Sequence, residues 1–431
     1  MAKDNTTNVG LLARFKSGFS AFIGSEQRYQ LPINSGFSGF QLNSESGAKV
    51  SEETALKLSA VYAAARNISE DIGKIPFSIY DKEGDFKNVE QRTHSAFKII
   101  KHESSPGVPT YVLKSSLVAS ALLRGDGFAY IQRDKKGIVK SIIYLPYDCV
   151  TIMINDKNEI GYKVSEIKNN LSIKAGTYPS TDIIHIRGFS TDGIRGMSVI
   201  QYGANSLGLA ISAQDMASKV YKNGSTIGGF LEADRVLKPE EIKNIQNSFN
   251  ASSGGTENAY KWKLLEGGIK ANPIKIDIQD SQLLDTRKFS VAEIARWFRM
   301  PLHKIQDMTG ATFSNIEEQN IEYATDTLSP WVSKLEQEFL FKLCTEKEIA
   351  DGYFVRGNLE EILRGNTAAR TQYYKEMTYI GAISTDEIRG AEFLNPVTNG
   401  SDRYIPANMM VLKPDGQILV PNINPNNQPK D

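Results

Sequence analysis

The chain has 431 residues, and its 50 Lys and Arg are balanced by 50 Asp and Glu. Its length predicts two or three domains, and its zero net charge excludes a histone-like basic protein that binds nucleic acid or anionic lipid indiscriminately. The two cysteines, Cys149 and Cys344, form no CxxC motif, which is typical of a reducing compartment. Because the apolar runs are far shorter than the ~20 residues of a membrane helix and no secretory leader is apparent, a soluble cytosolic protein is expected.

The first half of the chain predicts an arm followed by a mixed domain. Residues 1–50 are rich in Ser, Gly and Asn without periodicity, which predicts a flexible arm. A helix is expected to begin at Ser51, where a Ser-x-x-Thr sequence leads into apolar residues at helical spacing. Strand-and-turn patterns at 76–84 and 129–137, a helix at 111–123, and strands at 150–154 and 183–187 follow. The sequence therefore predicts an α+β domain over 51–237.

The second half predicts mostly helices. One helix covers 199–222, a second begins at Pro239, and a β excursion at 254–280 precedes a helix at 281–299 that Pro301 ends. A loop at 300–315 leads into a long helix at 316–343, with a kink expected at Pro330. Two short helices separated by Gly381 are predicted within 357–395, and residues 396–431 are expected to be a mobile tail.

The usual sequence signals of catalysis are missing. The chain has no GxxxxGK[ST], HExxH or GxSxG motif, and its four histidines show no metal-ligand spacing. Acidic pairs such as Glu240-Glu241 fall in first helical turns, where the helix dipole explains them. Gly125-Asp126-Gly127 is interpreted as a loop. No catalytic, cofactor-binding or metal site is predicted.

Four long segments carry a resemblance to a known family. They are SAVYAAARNISEDIGKIPFSIY (59–80), SSLVASALLRGDGFAYIQRD (115–134), IIHIRGFSTDGIRGMSVIQYGANSLGLAISAQDMASKVYKNGSTIGGFL (183–231) and ATFSNIEEQNIEYATDTLSPWVSKLEQEF (311–339). In uninterrupted order over about 50–410, the chain resembles bacteriophage portal proteins, the head–tail connectors, and in particular the short HK97-type branch of long-tailed phages and prophages.

The resemblance implies a portal fold assembled as a ring, twelve-fold in the virion, at one capsid vertex. Double-stranded DNA would be packaged and ejected through its channel. The implied regions are listed in chain order: wing 51–237, stem helix 238–253, clip 254–280, stem helix 281–299, tunnel loop 300–315, wing return helix 316–356 and crown 357–395. It also implies four partners besides DNA, namely the terminase large subunit, a head–tail adaptor, and the major capsid and scaffolding proteins. No cofactor and no membrane are implied, because a separate terminase ATPase would supply the packaging energy. The protein would lie in the virion, and in the host cytoplasm during assembly.

Several residues are candidates for contacts within this assembly. The candidate DNA-channel residues are Arg287, Lys288, Arg296, Arg299, His303 and Lys304. Each could instead belong to a solvated face or an inter-subunit ion pair. In the clip, Trp262 could be core or contact a partner, and Lys275 could affect partner docking. Ile276 is expected to pack between neighbouring subunits, because a short excursion cannot bury a core alone.

A neutral chain suits a conduit, because twelve strongly basic faces would hold DNA rather than let it slide. The alternative is a virion-associated enzyme or assembly factor whose active site carries no recognised motif. The β excursion inside a helical hairpin, followed by the long helix that contains Trp331, favours the ring.

Overall fold

The computed structural model describes residues 29–30, 42–83, 87–155, 159–167, 173–222, 229–233, 235–253, 270–273, 280–307, 313–359, 367–392, 394–404, 411–412 and 418–419. The chain divides into two compact units, Met1–Leu359 and Glu360–Asp431. No helix within these described ranges is long and apolar enough to cross a membrane.

Helices and strands alternate in the first half of the chain, and helices dominate the second. The helices are α1 (Glu52–Leu56), α2 (Ser59–Lys74), α3 (Phe97–Lys101), α4 (Thr110–Arg124), α5 (Val199–Tyr202), α6 (Ala204–Lys222), α7 (Pro239–Ser253), α8 (Asp280–Trp297), α9 (Phe313–Glu322), α10 (Ser329–Leu343), α11 (Glu346–Ala350), α12 (Thr367–Tyr379) and α13 (Thr385–Ala391). Short 3-10 turns cover Tyr147–Cys149, Ser180–Asp182 and Leu302–Ile305, and a π turn covers Tyr323–Leu328.

The strands pair in small antiparallel sheets. They are β1 (Tyr29–Gln30), β2 (Leu42–Asn43), β3 (Lys49–Val50), β4 (Phe77–Glu83), β5 (Lys87–Glu90), β6 (Glu103–Ser105), β7 (Val108–Pro109), β8 (Asp126–Arg133), β9 (Val139–Leu145), β10 (Val150–Ile154), β11 (Ile160–Val164), β12 (Gly176–Pro179), β13 (Ile183–Arg187), β14 (Gly229–Glu232), β15 (Lys270–Pro273), β16 (Phe354–Gly357), β17 (Val411–Leu412) and β18 (Ile418–Leu419). The larger sheets have the orders β1-β10-β11-β12, β13-β8-β9 and β16-β4-β5.

The chain becomes ordered earlier than its composition predicts. Residues 42–50 form the β2–β3 hairpin, in which Val50 is fully buried, and the Ser46 hydroxyl lies 3.0 Å from that of Ser212 on α6. Strand β1 also pairs with β10. The prediction of a flexible arm over 1–50 is therefore wrong for these residues, because tertiary contacts fix a segment that has no periodicity of its own. The rest of the arm lies outside the described residues.

Local signals correctly predict where the next elements begin and end. Ser51 caps α1, since its hydroxyl accepts from the Thr54 N–H at 3.2 Å while Thr54 Oγ1 accepts from the Ser51 N–H at 2.8 Å. The apolar side of α2 packs against α4. Gly125 ends α4 with a φ of 98° at a point where an added Cβ would meet the carbonyl oxygen of Gly196.

One core cluster of the mixed domain lies between the β10–β12 and β13-β8-β9 sheets. Its buried members are Phe128, Leu145, Val150, Ile152, Tyr162, Val164, Ile173 and Ile183. Helix α4 packs on β8, the central strand of the second sheet. The interpretation of Gly125-Asp126-Gly127 as a loop is wrong, because Asp126 and Gly127 begin β8 and Asp126 is buried.

The helical hairpin forms between different helices from those predicted. Helix α8 packs along α6, which buries Leu207, Ala210 and Ala217 at helical spacing. Strands β14 and β15 pair with each other across α7, so α7 lies inside the excursion between α6 and α8. The expected pairing of 238–253 with 281–299 is therefore corrected. Its physical reason is that the described side chains of α7 are mostly exposed and present no buried apolar stripe to α8.

The long helix forms as predicted, but its irregularity lies before Pro330. Helix α9, the π turn and α10 follow one another without interruption from Phe313 to Leu343, and Pro330 stands in the first turn of α10. The apolar side of α10 packs against β16, and Phe339 meets Phe77 of β4 edge-on at 5.6 Å.

A charged side of α10, next to its apolar side, covers the open edge of β13. Lys334 Nζ donates to the carbonyl oxygens of Arg187 and Gly188 at 2.8 and 2.9 Å. One turn later, the Glu338 carboxylate accepts from the His185 N–H at 3.3 Å, and Lys342 then donates to the Ser180 carbonyl. These side chains satisfy backbone groups of an edge strand, which would otherwise be open to pairing with another chain.

The second unit holds the two predicted short helices. Gly381 adopts a φ of 67° after α12, and Ser384 caps α13. The described part of the tail to Tyr404 is not free, because the Val397 N–H donates to Asp386 Oδ1 at 2.9 Å and the Asp386 N–H donates to the Gly400 carbonyl at 2.7 Å. Strands β17 and β18 also pair. The predicted mobile tail is corrected for these residues.

Candidate functional site

A cleft lies where α8 ends and the chain turns toward α9. It has a volume of about 490 Å³, and the C-terminal turns of α8, the segment 300–307, α9 and the π turn form its walls. Its charged and polar lining residues are Arg296, Arg299, His303, Asp307, Gln319, Glu322, Tyr323, Asp326 and Thr327. This is the region in which the resemblance to portal proteins implies the tunnel loop.

The segment 300–307 is a fixed turn. Arg299 has a φ of 52° and ends α8, and the Met300 N–H donates back to the Ala295 carbonyl at 2.8 Å. After the 3-10 turn, Gln306 has a φ of 63°, and the Asp307 N–H donates to the Leu302 carbonyl at 3.1 Å. Two residues in the left-handed region thus lie on either side of the 3-10 turn Leu302–Ile305. The loop predicted at 300–315 is therefore a fixed turn over 300–307, residues 308–312 lie outside the described part of the chain, and Phe313 already begins α9.

Neighbouring elements hold this turn from two sides. The Thr327 hydroxyl in the π turn donates to the Arg299 carbonyl at 2.5 Å. The two ring nitrogens of His303 lie 2.7 Å from Gln319 Oε1 and 3.1 Å from Asn320 Oδ1 on α9. On the other side, Asn67 of α2 donates to the Lys304 carbonyl at 2.7 Å.

The candidate channel residues on α8 occupy two different sides of that helix. Lys288 and Arg296 lie on one side of the helix and Arg299 follows shortly after its end, whereas Arg287 lies seven residues before the buried Ile294 and shares its side. All four side chains are exposed. The helical spacing of these residues in the sequence is enough to separate Arg287 from Lys288 and Arg296.

The structure pairs two of these four charges within the subunit. Arg296 contacts Glu293, and Arg299 lies 3.6 Å from Asp326 of the π turn. Within the described residues, Arg287 and Lys288 make no ion pair. Helix α8 carries Asp280, Asp285 and Glu293 against Arg287, Lys288 and Arg296, so its formal net charge is zero.

The last two channel candidates are half-buried and already engaged. His303 is held by the two amide side chains of α9, and the Lys304 ammonium lies 5.0 Å from the centre of the Tyr323 ring. The clip candidates Trp262, Lys275 and Ile276 lie outside the described residues. The described strand nearest to them in the sequence is β15, which pairs with β14. Strand β14 falls within 51–237, the range predicted to be the mixed domain.

A buried polar network joins three residues that are far apart in the sequence and that no motif predicts, namely Asp126, Tyr162 and His185. His185 Nε2 lies 2.8 Å from Asp126 Oδ1, and its Nδ1 lies 3.0 Å from the Tyr162 hydroxyl. Burial lowers the pKa of His185 to about 4, although the hydrogen bond with Asp126 acts in the opposite direction. The ring is therefore neutral near pH 7. Because Asp126 and His185 are each only 1% exposed, no substrate reaches them, and the network joins β8, β11 and β13.

A second cluster brings together possible metal ligands, namely His94, Cys344 and Glu348, whose donor atoms lie within 4.8 Å of one another. The Ala96 N–H donates to His94 Nδ1 at 3.1 Å, so the proton of the neutral ring is on Nε2, which lies 3.4 Å from Glu348. A metal ion would need that Nε2 lone pair. Burial also raises the pKa of Cys344 to about 12, so the thiol is protonated in the metal-free protein. These residues do not fit a metal ion.

The Glu348 carboxylate instead serves as a cap. It accepts from the Thr345 N–H at 2.7 Å and completes a capping box at the start of α11. Burial acts to raise the pKa of Glu348, but the hydrogen bonds from His94 and Thr345 outweigh burial and lower the pKa to about 2.

A protein-family model described as "Phage portal protein" matches residues 59–392. The chain is 30% identical over 407 residues to the probable portal protein of Streptomyces phage phiC31, a match that covers 92% of this chain and 88% of that protein. It is 24% identical to the portal protein of Enterobacteria phage HK97, with 92% of each protein covered.

Solved structures share the fold. An HK97-family phage portal protein from Corynebacterium diphtheriae is similar with a TM-score of 0.53 at 15% identity, over 77% of this chain and all of that one. A chain in the neck of a native gene transfer agent particle, computed with C12 symmetry, is similar with a TM-score of 0.53 at 17% identity. That match covers 88% of this chain and 98% of the other.

Proposed function

The chain belongs to the phage portal protein family, and we propose from that premise that twelve copies form the channel through which a tailed phage packages and ejects its double-stranded DNA. As a portal protein it has a structural role at the capsid vertex. The twelve-fold copy number is supported by the C12 symmetry of the gene transfer agent neck, whose chain has a similar fold.

The observation that carries the channel proposal is the hairpin of α6 and α8 with an insertion between its helices. We assign these two helices to the stem and the insertion, residues 223–279, to the clip. The clip then includes β14, α7 and β15, in place of 254–280 alone. Residues 300–312 form the tunnel segment, α9 to α10 the return helix, and the unit from Glu360 onward the crown and tail.

The charge of α8 suits a stem that DNA slides past. A net positive helix repeated twelve times would bind the phosphate backbone strongly, because each neutralised phosphate releases counterions. Helix α8 carries no net charge. Arg296 is already paired with Glu293, and Arg299, just after the helix, is paired with Asp326. Lys288, which is exposed and lies away from the side of the buried Ile294, is the residue that we propose touches DNA, and Arg287, Arg296 and Arg299 are weaker candidates than their charge suggests.

Shortening the tunnel segment within 308–312 tests the channel assignment. We expect the variant to form rings, because the described contacts that close the turn at 300–307 remain. It should fill fewer capsids or lose packaged DNA. Electron microscopy of the rings and the fraction of filled particles measure the two effects, and a variant that packages and retains DNA like the parent contradicts the assignment.

The proposal includes partners of the clip and the rim. The terminase large subunit would dock on the clip during packaging and supply the ATPase activity, and the head–tail adaptor would replace it. The major capsid and scaffolding proteins would surround the ring, which would assemble in the host cytoplasm. The chain itself would catalyse no reaction, so purified protein should hydrolyse no ATP without terminase.

Within the clip, we propose that Ile276 packs between neighbouring subunits. Ile276→Asp should weaken ring closure, because it places a charge in an apolar contact. Lys275→Ala is the matched control, which should leave the ring intact and at most reduce terminase docking. Trp262→Ala separates a core role, which lowers stability, from a docking role, which lowers only terminase binding.

A further inference from the structure

Two hydrogen bonds join helix α2 to the region that carries the tunnel segment. Asn67 Nδ2 donates to the Lys304 carbonyl at 2.7 Å, and the Tyr323 hydroxyl donates to Asp71 Oδ2 at 3.1 Å. Asn67 and Asp71 are one turn apart, so they lie on the same side of α2. One bond holds the turn at 300–307 directly, and the other holds the π turn that lines the same cleft.

The residues around these two hydrogen bonds restrict their partners. Tyr323 is only 1% exposed, so its hydroxyl depends on Asp71 as acceptor. Asp71 is itself held by Lys74 at 2.8 Å. The Lys304 ammonium lies over the Tyr323 ring, so the turn and the π turn also contact each other.

The fold of α2 does not depend on these two side chains. Helix α2 is stabilised through its buried apolar residues Val61, Ala64, Ile68 and Ile72 and its packing against α4. The turn at 300–307 is closed by its own backbone hydrogen bonds. What Asn67 and Asp71 add is a fixed position of the turn relative to α2.

We propose that Asn67 and Asp71 are positioning residues, which set the position in the channel of the turn at 300–307, the described part of the tunnel segment. Neither residue contacts DNA in this account. They act through Lys304 and Tyr323, so that helix α2 of the wing fixes where the turn at 300–307 stands. This inference rests on the proposed channel function.

Paired variants of full-length protein, assembled as rings and in virions, test the proposal. Asp71→Ala removes the acceptor for Tyr323, whereas Asp71→Asn keeps an oxygen in its place and should rescue the function. Asn67→Asp replaces the donor to the Lys304 carbonyl by a carboxylate, and Tyr323→Phe removes only the hydroxyl. Glu70→Gln, a neighbouring change on α2 without either hydrogen bond, is the control.

Hydrogen exchange of the backbone amides at 302–307 and the fraction of DNA-filled particles are the two measurements. Asp71→Ala, Asn67→Asp and Tyr323→Phe should each raise exchange roughly fivefold, which corresponds to one lost hydrogen bond, and should each lower DNA retention. Asp71→Asn and Glu70→Gln should stay within about twofold of the parent by the same scale. The Asp71→Ala/Tyr323→Phe double variant should be no worse than either single variant.

The proposal is wrong if Asp71→Ala forms rings with unchanged exchange at 302–307 and normal DNA retention. It is also wrong if Asp71→Asn is as defective as Asp71→Ala, since charge and not the hydrogen bond would then matter. If shortening 308–312 impairs retention while all the α2 variants behave like the parent, only this inference fails. If the shortened variant also retains DNA normally, the channel assignment itself fails.

Discussion

Arg299 has a positive charge, which is visible in the sequence, and a left-handed backbone conformation, which is not. Its charge made it a candidate for contact with DNA, but the structure uses its backbone, in the left-handed region, to end α8 and begin the turn at 300–307. A non-glycine residue in that region is strained by roughly 1 kcal/mol. Composition cannot reveal this, because the conformation is imposed by the Met300 hydrogen bond to Ala295 and by Pro301.

Arg299→Gly should therefore leave the free energy of unfolding unchanged or raise it by up to about 1 kcal/mol. The exposed ion pair with Asp326 that is lost contributes little. Arg296→Gly is the matched control on the same side of α8, and it should destabilise the protein by about 1 kcal/mol because it lies inside the helix. Urea unfolding of both variants checks this, and equal destabilisation would contradict the backbone role of Arg299.

The buried His185 makes stability depend on pH. The unfolded imidazole takes up a proton below about 6.5, but the native one only near a pKa of about 4. The unfolded state thus binds more protons between these values, and the free energy of unfolding falls as the pH falls from 6.5 to 4.

His185→Gln should remove about 2 kcal/mol of the pH dependence between pH 6.5 and 4.5. Asp182, whose pKa burial raises to about 6, acts in the opposite direction but is present in both proteins, so it cancels in the difference. Urea unfolding at pH 6.5 and 4.5 is the measurement. An identical pH dependence in parent and variant would show that His185 is not the titrating group.

At the scale of elements, local signals predict the ends of helices but not their partners. Ser51, Pro239 and Gly125 act on the adjacent backbone, so each boundary is visible in the sequence. The partner of α8 is determined by contacts between residues that are far apart in the chain. The sequence predicted α7 as that partner, but α6 packs along α8. The π turn has no sequence pattern of its own, and Pro330 indicated an irregularity only in its neighbourhood.

The charged side of α10 gives a test of how elements are held together. Glu338 accepts from the His185 N–H and lies 3.7 Å from Arg187, so Glu338→Leu leaves a guanidinium and a backbone donor without this acceptor. Unfolding free energy should fall by about 3 kcal/mol. The exposed neighbour Gln337 is the control, and Gln337→Leu should change stability by less than about 0.5 kcal/mol. Equal effects of the two variants would show that the contact with β13 is unimportant.

At the scale of the whole molecule, the family resemblance predicted what physical patterns could not. The α+β class and the order of elements follow from periodicity, whereas the ring follows only from the segments shared with portal proteins, now supported by the match over 59–392. The positions of the tunnel and clip residues could not be derived, because they depend on neighbouring subunits. Exposed apolar side chains such as Leu209, Met216 and Phe289 are available for such contacts.

The mass of the purified assembly tests the central claim most directly. Twelve copies of a 47.8 kDa chain give particles of roughly 570 kDa, which mass photometry and negative-stain imaging of the same sample would record as rings with an axial opening. A protein that remains at 47.8 kDa under all salt conditions, without ring-shaped particles, would contradict the account.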